Sequence, residues 1–199
     1  MLLVFVMSPP GNDVRPRFLP KLLSALSKNH VPHIVTKDVR EMVKFAESGK
    51  LTGVIIPGSD LSVTNLGPRL RAKLNRLLAA IPILDVPVFG ICFGLQTLCA
   101  LYGGKVEKMG HLRRGLYTIY TRKHWLFNGC QGSVKGQFDH NDIVTTVPSS
   151  FRVVARDYKG APMAIADENR KFYAVQFHPE ECGSTHGIIM NFVKFCRNN

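Results

Sequence analysis

Apolar residues fall along this chain in short blocks that alternate between two spacings. Leu2–Met7 is a compact apolar run that predicts a first strand. Phe18, Leu19, Leu22, Leu23 and Leu26 then recur at helical spacing, and Asn29 closes that helix after a loop carrying Pro9-Pro10-Gly11. Pro32 to Thr36 predicts a second strand, Val39 to Ala46 a short helix ending toward Gly49, and Leu51 to Ile56 a third strand ending in Pro57-Gly58-Ser59-Asp60. Leu70, Leu74, Leu77 and Leu78 mark another helix, and Val86–Phe89 a fourth strand. Strand and helix thus alternate, which predicts an α/β fold: a three-layer sandwich with a mostly parallel central sheet and helices on both faces. The second half changes character. Gly115 to Thr121 alternates, and Ser133–Val134, Phe151 to Ala155, Met163 to Ala166 and Phe172 to Phe177 are further strand candidates between turn signals, so additional mixed or antiparallel strands are expected there. Arg122 to Gly132 shows no readable period. The last helix, Thr185 to Phe195, puts Ile188, Ile189, Phe192 and Phe195 on one face.

The fourth strand runs into Gly90-Ile91-Cys92-Phe93-Gly94-Leu95-Gln96, followed by Leu98, Cys99 and Leu101-Tyr102 at helical spacing and closed by Gly103-Gly104. A strand, a one-residue corner and a helix make a nucleophile elbow. Glycines on both sides relieve the crowding of such a turn. The thiol of Cys92 then stands at a strand's carboxyl end over a helix N-terminus, where the partial positive charge favours thiolate. A lone buried cysteine is more often a small hydrophobe, but rarely inside this frame. A cysteine nucleophile needs a base, and the base needs a group to hold its tautomer. Of seven histidines, His178 fits: it follows a strand directly in Gln176-Phe177-His178-Pro179-Glu180. Glu180 lies two residues on, with Pro179 stiffening the link; Glu181 is adjacent and acidic, and spacing alone does not separate the two.

Composition narrows the classes. The 199 residues are 45% apolar and 20% charged, which suits one globular domain over 1–199. No apolar run approaches a membrane span, and Met1–Met7 lacks the basic flank and cleavage site of a signal peptide. Five cysteines, with no CxxC pair and no metal-ligand spacing, argue for a reducing compartment, the cytoplasm, and against a disulfide framework. The net charge of +12 points to an acidic protein partner or to a solvated basic surface. No nucleic-acid module and no aromatic-basic interleaving is present.

Gly-Ile-Cys-Phe-Gly-Leu-Gln paired with Gln-Phe-His-Pro-Glu resembles the class I glutamine amidotransferases, the Cys-His-Glu family. Tyr102–Val106, Asp139–Val144 with Val147-Pro148 and Phe151, and Phe192 are similar to that family too, and the middle and end most resemble the amidotransferase domain of GMP synthases. The resemblance implies Cys92 as nucleophile on the glutamine side-chain amide, His178 as base and Glu180 as its orienter. It implies oxyanion donors at the backbone N–H of Gly58 and Phe93. It implies contacts to the glutamine substrate from Gln96 and from a loop of Asp139, His140, Asn141 and Asp142. No cofactor and no metal is implied. A separate synthetase subunit of the ATP-pyrophosphatase type is the implied acceptor of ammonia. Three positions depart from the pattern: Pro57-Gly58-Ser59 replaces Gly-Gly-Pro, Asn141 stands in place of Gly, and Phe93 in place of Tyr. A γ-glutamyl peptide or conjugate hydrolase, and a non-catalytic regulatory protein on the same fold, are the alternatives.

Overall fold

The computed structural model describes residues 1–8 and 16–198, with Leu78 by its backbone alone; the expected Pro9–Gly11 loop lies outside the described residues. The first half reads β1 (Leu2–Phe5), α1 (Leu19–Lys28), β2 (His33–Thr36), α2 (Val39–Glu47), β3 (Gly53–Ile56), α3 (Pro68–Ala80), β4 (Val88–Ile91) and α4 (Phe93–Leu101). The second half reads β5 (Lys105–Thr121), β6 (Gly132–Thr146), β7 (Arg152–Asp157), β8 (Pro162–Asp167), β9 (Phe172–Val175) and α5 (Gly187–Arg197). Among the described residues the strands form one nine-stranded sheet in the order β2-β1-β3-β4-β9-β8-β7-β5-β6. β2, β1, β3, β4 and β9 are parallel, and the pairings from β9 onward to β6 are antiparallel.

β1, β3, β4 and β9 are buried along their whole length, as strands covered on both faces must be. One core layer sets Leu22 and Leu26 of α1 and Ile188, Ile189 and Phe192 of α5 against Phe89 and Tyr173 of the sheet. The opposite layer sets Met42, Leu74, Leu77, Leu95 and Leu98 against Val54, Ile56 and Val88. Asn29, expected to end α1, does so with its side chain donating to Ala25 O at 2.8 Å, and Asp38 caps α2 by accepting from Arg40 N at 2.8 Å.

Two stretches differ from the expected elements. β5 starts at Lys105, ten residues before the alternating run at Gly115, because most of Lys105–Leu112 is exposed and imposes no apolar period. Asp139, His140, Asn141 and Asp142, expected as a loop, lie inside β6; Asp139, His140 and Asp142 pair with Arg114, Arg113 and Lys108 of β5, and Asn141 stands opposite a register shift in β5. Burial does alternate there, through Gly136, Phe138, His140, Asp142 and Val144, but two of the buried positions carry polar side chains, so hydrophobic periodicity misses the strand.

Candidate functional site

β3, β4 and β9 are parallel neighbours, so the segments that follow them emerge on one rim. Cys92 follows β4 directly. Its backbone sits at φ 51° and ψ −98°, a strained conformation for a residue with a Cβ, held by two bonds. Cys92 N donates to Val175 O at 2.8 Å, and Gln96 N donates to Cys92 O at 3.1 Å. The turn leaves no room beside it. A Cβ on Gly94 would lie 2.2 Å from Ile56 O, and one on Gly90 would lie 2.6 Å from the Gly94 carbonyl carbon. Both glycines are therefore required by close backbone approach.

The bond from Cys92 to Val175 also fixes the position of His178. Three residues beyond Val175 stands His178, whose N–H donates to Gln137 O of β6 at 2.8 Å. His178 Nδ1 is bonded to Glu180 Oε1 at 2.9 Å, and both side chains are almost wholly buried. Glu180 sits in a 3-10 turn, Pro179–Glu181, that turns it back onto the ring. Glu181 points elsewhere and pairs with Lys21 of α1. The two carboxylates that spacing left open are thus separated by the turn. His178 Nε2 is buried without a hydrogen-bond partner. Burial acts to lower the pKa of this imidazole, but the facing Cys92 sulfur and the Glu180 carboxylate override it and raise it to about 10. By contrast, burial among apolar groups pushes the Cys99 thiol up to about 11 and Cys196 up to about 12, leaving both as inert thiols at neutral pH.

Gly58, just past β3, touches the same ring: a Cβ there would lie 2.6 Å from His178 Cε1. Pro57-Gly58 therefore keeps the one glycine that this contact demands. The N–H of Phe93 lies in the first turn of α4, where the helix offers it no acceptor. Around Cys92 opens a cavity of about 200 Å³, lined also by Phe18, Gln96, Arg114, Asp139 and His140. Asn141 and Asp142 belong to the same wall. Ser59 and Asp60 line the cavity as well.

The wall residues are tied to one another. Gln96 Nε2 donates to Asp142 O at 2.9 Å and to Gln176 Oε1 at 3.3 Å. The Asp142 carboxylate accepts from Ser62 Oγ at 2.7 Å, Thr64 N at 3.1 Å and Thr64 Oγ1 at 2.8 Å, so it pins the segment after β3. His140 Nδ1 donates to Asp142 O at 2.7 Å. Burial lowers the His140 pKa to about 4, which keeps the ring neutral and leaves Nε2 as a bare acceptor with no partner.

Four contributors escaped the sequence reading. Phe18 packs on His178, with ring centroids 3.8 Å apart. Its helical spacing with Leu22 and Leu26 marks it only as core. Gln176 is fully buried and directs Nε2 at Cys92 Sγ across 3.7 Å; its place in the Gln-Phe-His-Pro-Glu string was the available signal. Arg17 and Arg114 both hold the Asp139 carboxylate at the mouth, at 2.7 and 3.1 Å, and nothing in the spacing links them.

Comparison with known proteins gives the family. The family model described as glutamine amidotransferase class-I matches residues 17–197. The chain is 39% identical over 185 residues to the glutamine-hydrolyzing GMP synthase of Sinorhizobium fredii, covering 83% of this chain and 34% of that protein. It is 44% identical over 186 residues to the protein of the same name in Rhizobium etli, again covering 83% and 34%. The chain therefore spans about a third of the length of these curated relatives. A crystal structure from Thermoplasma acidophilum, assigned as one subunit of a GMP synthase, superposes with a TM-score of 0.80 at 22% identity, covering 100% of this chain and 95% of that one, and shares the fold. With its elbow cysteine, the facing imidazole and a family match across nearly all of its length, this chain belongs to the glutamine amidotransferase class-I family.

Proposed function

We propose that the protein hydrolyses the side-chain amide of glutamine and passes the ammonia to a separate ATP-dependent synthetase subunit of the ATP-pyrophosphatase, GMP synthase type. The observation that carries this reading is the chain of contacts from Glu180 through His178 toward Cys92, buried at the end of three parallel strands. Cys92 Sγ attacks the amide carbon of glutamine while His178 Nε2 holds the thiol proton. The same proton goes to the departing nitrogen as the C–N bond breaks, which releases ammonia and leaves a γ-glutamyl thioester. Water attacks the thioester, giving its proton to His178, and glutamate leaves as the thiol re-forms. The N–H groups of Gly58 and Phe93 face the oxygen that gains charge in both steps. Gln96 holds the wall against which the substrate packs, and Asp139, His140, Asn141 and Asp142 bind its amino-acid end.

The relatives carry about twice as much further chain as the part matched here, which supports a synthetase as the acceptor. Among the described residues no helix is long and apolar enough to cross a membrane. We place the protein in the cytoplasm, in keeping with its five unpaired thiols. Treatment with a glutamine-analogue electrophile, diazo-oxo-norleucine, followed by peptide mass spectrometry tests the reading. The adduct is expected on Cys92, with ammonia release lost in parallel and in Cys92→Ala. Labelling elsewhere, or unchanged glutamine hydrolysis in that variant, overturns it.

A further inference from the structure

β5 and β6 form a two-stranded ribbon, and only Ile119–Thr121 of β5 also pairs with β7. Along the ribbon, side chains alternate. Arg113, Tyr117 and Ile119 turn inward: Arg113 lies buried against Asp157 at 2.8 Å and over the rings of Tyr117 and Phe138, while Ile119 is buried and Tyr117 packs on the core. Leu112, Arg114, Leu116, Thr118 and Tyr120 turn outward. On this face Leu112 is 44% exposed, Leu116 60% and Tyr120 49%, an unusual concentration of large apolar side chains in water. The β6 neighbours in register with Arg114, Leu116, Thr118 and Tyr120 are Asp139, Gln137, Lys135 and Ser133. Lys135 donates to Thr118 Oγ1 at 2.8 Å, so it lies across the same face.

The stripe runs over nine residues, Leu112 to Tyr120, about 27 Å for eight steps of ~3.4 Å. That length suits one side of a standard protein interface. It begins at the cavity, because Leu112 and Arg114 also line the mouth above Cys92. Its net charge is positive. Arg17, Arg114 and Lys135 stand along it, while the Asp139 carboxylate is largely covered and already bonded to both arginines. At the far end Tyr120 is also in register with Arg156 of β7, which adds a further cation beside the stripe.

We infer that the outward face of the β5–β6 ribbon is the docking surface for the synthetase subunit, through an apolar patch of that partner ringed by carboxylates. This rests on the proposed function and names the surface it uses. A partner seated on Leu112, Leu116 and Tyr120 with acidic groups on Arg114 and Lys135 also covers the cavity mouth. Ammonia formed at Cys92 then leaves into the partner rather than into water. Within the sheet the ribbon is joined to β7 only through Ile119–Thr121, and it also meets the site where Gln137 O, in register with Leu116, accepts from the His178 backbone N–H. The +12 chain and the cationic rim make the association salt-sensitive.

The test uses the full chain and the ATP-pyrophosphatase-type synthetase subunit of the same organism, with sedimentation and titration calorimetry at low and high salt. The unaltered chain is expected to form a complex whose affinity falls as salt rises. Leu116→Glu and Tyr120→Glu are expected to weaken it at least ~100-fold and to abolish glutamine-driven product. Glutaminase activity of the free chain and product formation from added ammonium salt are expected to stay unchanged. Ile83→Glu, at a residue 72% exposed before β4 and away from the ribbon, is the control that leaves binding intact. Leu116→Ser gives a milder variant should the charged ones lose their free-chain activity. Three results overturn the inference: no complex with the unaltered chain, a complex indifferent to both ribbon variants, or a homodimer that Leu116→Glu dissociates. Failure of the diazo-oxo-norleucine labelling overturns the glutaminase reading instead, and binding is measured without reference to turnover.

Discussion

The ring of Phe18 lies against the imidazole of His178, 3.8 Å between centroids and tilted by 38°. Arg17, its neighbour, reaches across the mouth to Asp139, and Lys21, one turn on, pairs with Glu181. The first turn of α1 therefore straps the segment that carries His178. Phe18→Ala removes the surface that limits ring rotation while Glu180 still holds Nδ1. We expect kcat for glutamine hydrolysis to fall by about 10–100-fold with little change in KM, the signature of a misplaced group rather than a lost binding contact. Phe18→Leu, which refills part of the space, should recover some of the loss. Steady-state kinetics on the three proteins decide it, and a rise in KM alone would contradict the strap.

Gly58 and His178 are too close for any side chain between them. Gly58→Ala puts a methyl 2.6 Å from Cε1, and either the ring or the loop must move. The expected loss in kcat is about 100–1000-fold, the scale of removing one oxyanion donor. Far-ultraviolet circular dichroism should remain that of the parent, since Pro57–Ser59 lies on the rim. A variant with full activity would remove Gly58 from the site.

Asp142 acts through the chain after β3 as well as through the cavity wall. Its carboxylate accepts three hydrogen bonds from Ser62 and Thr64. Asp142→Ala leaves those donors without their partner, at a cost of about 1–3 kcal/mol in urea unfolding. Asp142→Asn should cost less. Equal stability of all three proteins would show that the segment is held by other contacts.

The protonation of His178 depends on Cys92. Against the burial that lowers its pKa, the sulfur is the leading influence that raises it, followed by Glu180. In Cys92→Ala the Cε1 proton of His178, followed by NMR, should titrate well below the value of about 10 in the parent chain. The sign for stability follows. A folded pKa above the ordinary value of ~6.5 contributes stability that is full below pH ~6.5 and lost as pH rises through about 10. In the variant that decline should start at the same pH ~6.5 and be complete at lower pH, because it ends at the lowered folded pKa. A titration that the substitution leaves in place would mean that the two side chains do not interact.

Much of this was written in local chemistry. The run Val88–Ile91 followed by Cys92 between two glycines dictates a buried strand and a sharp corner, because only residues without a Cβ tolerate the approach of Ile56 and Gly94 backbone. His178 with Pro179 and Glu180 is likewise a short-range arrangement, which three adjacent residues settle among themselves. The alternation of strand and helix through the first half set the parallel layers for the same reason: each element buries its own face. Hydrophobic period failed where burial and polarity part company. His140 and Asp142 occupy buried strand positions as polar groups, and Lys105–Leu112 is strand with little burial to record it.

What residue order alone determined, then, was which short segments turn, which extend and which side chains carry reactive atoms, since those follow from neighbours a few positions apart. Only the tertiary structure decided that β9 would lie beside β4, which brings His178 to Cys92; that Glu180 and not Glu181 would meet the ring; and that Phe18, Arg17 and Arg114 would gather at the same mouth. Those outcomes depend on strand pairing and packing between residues far apart in the chain, and no local spacing encodes which distant edge a strand will choose.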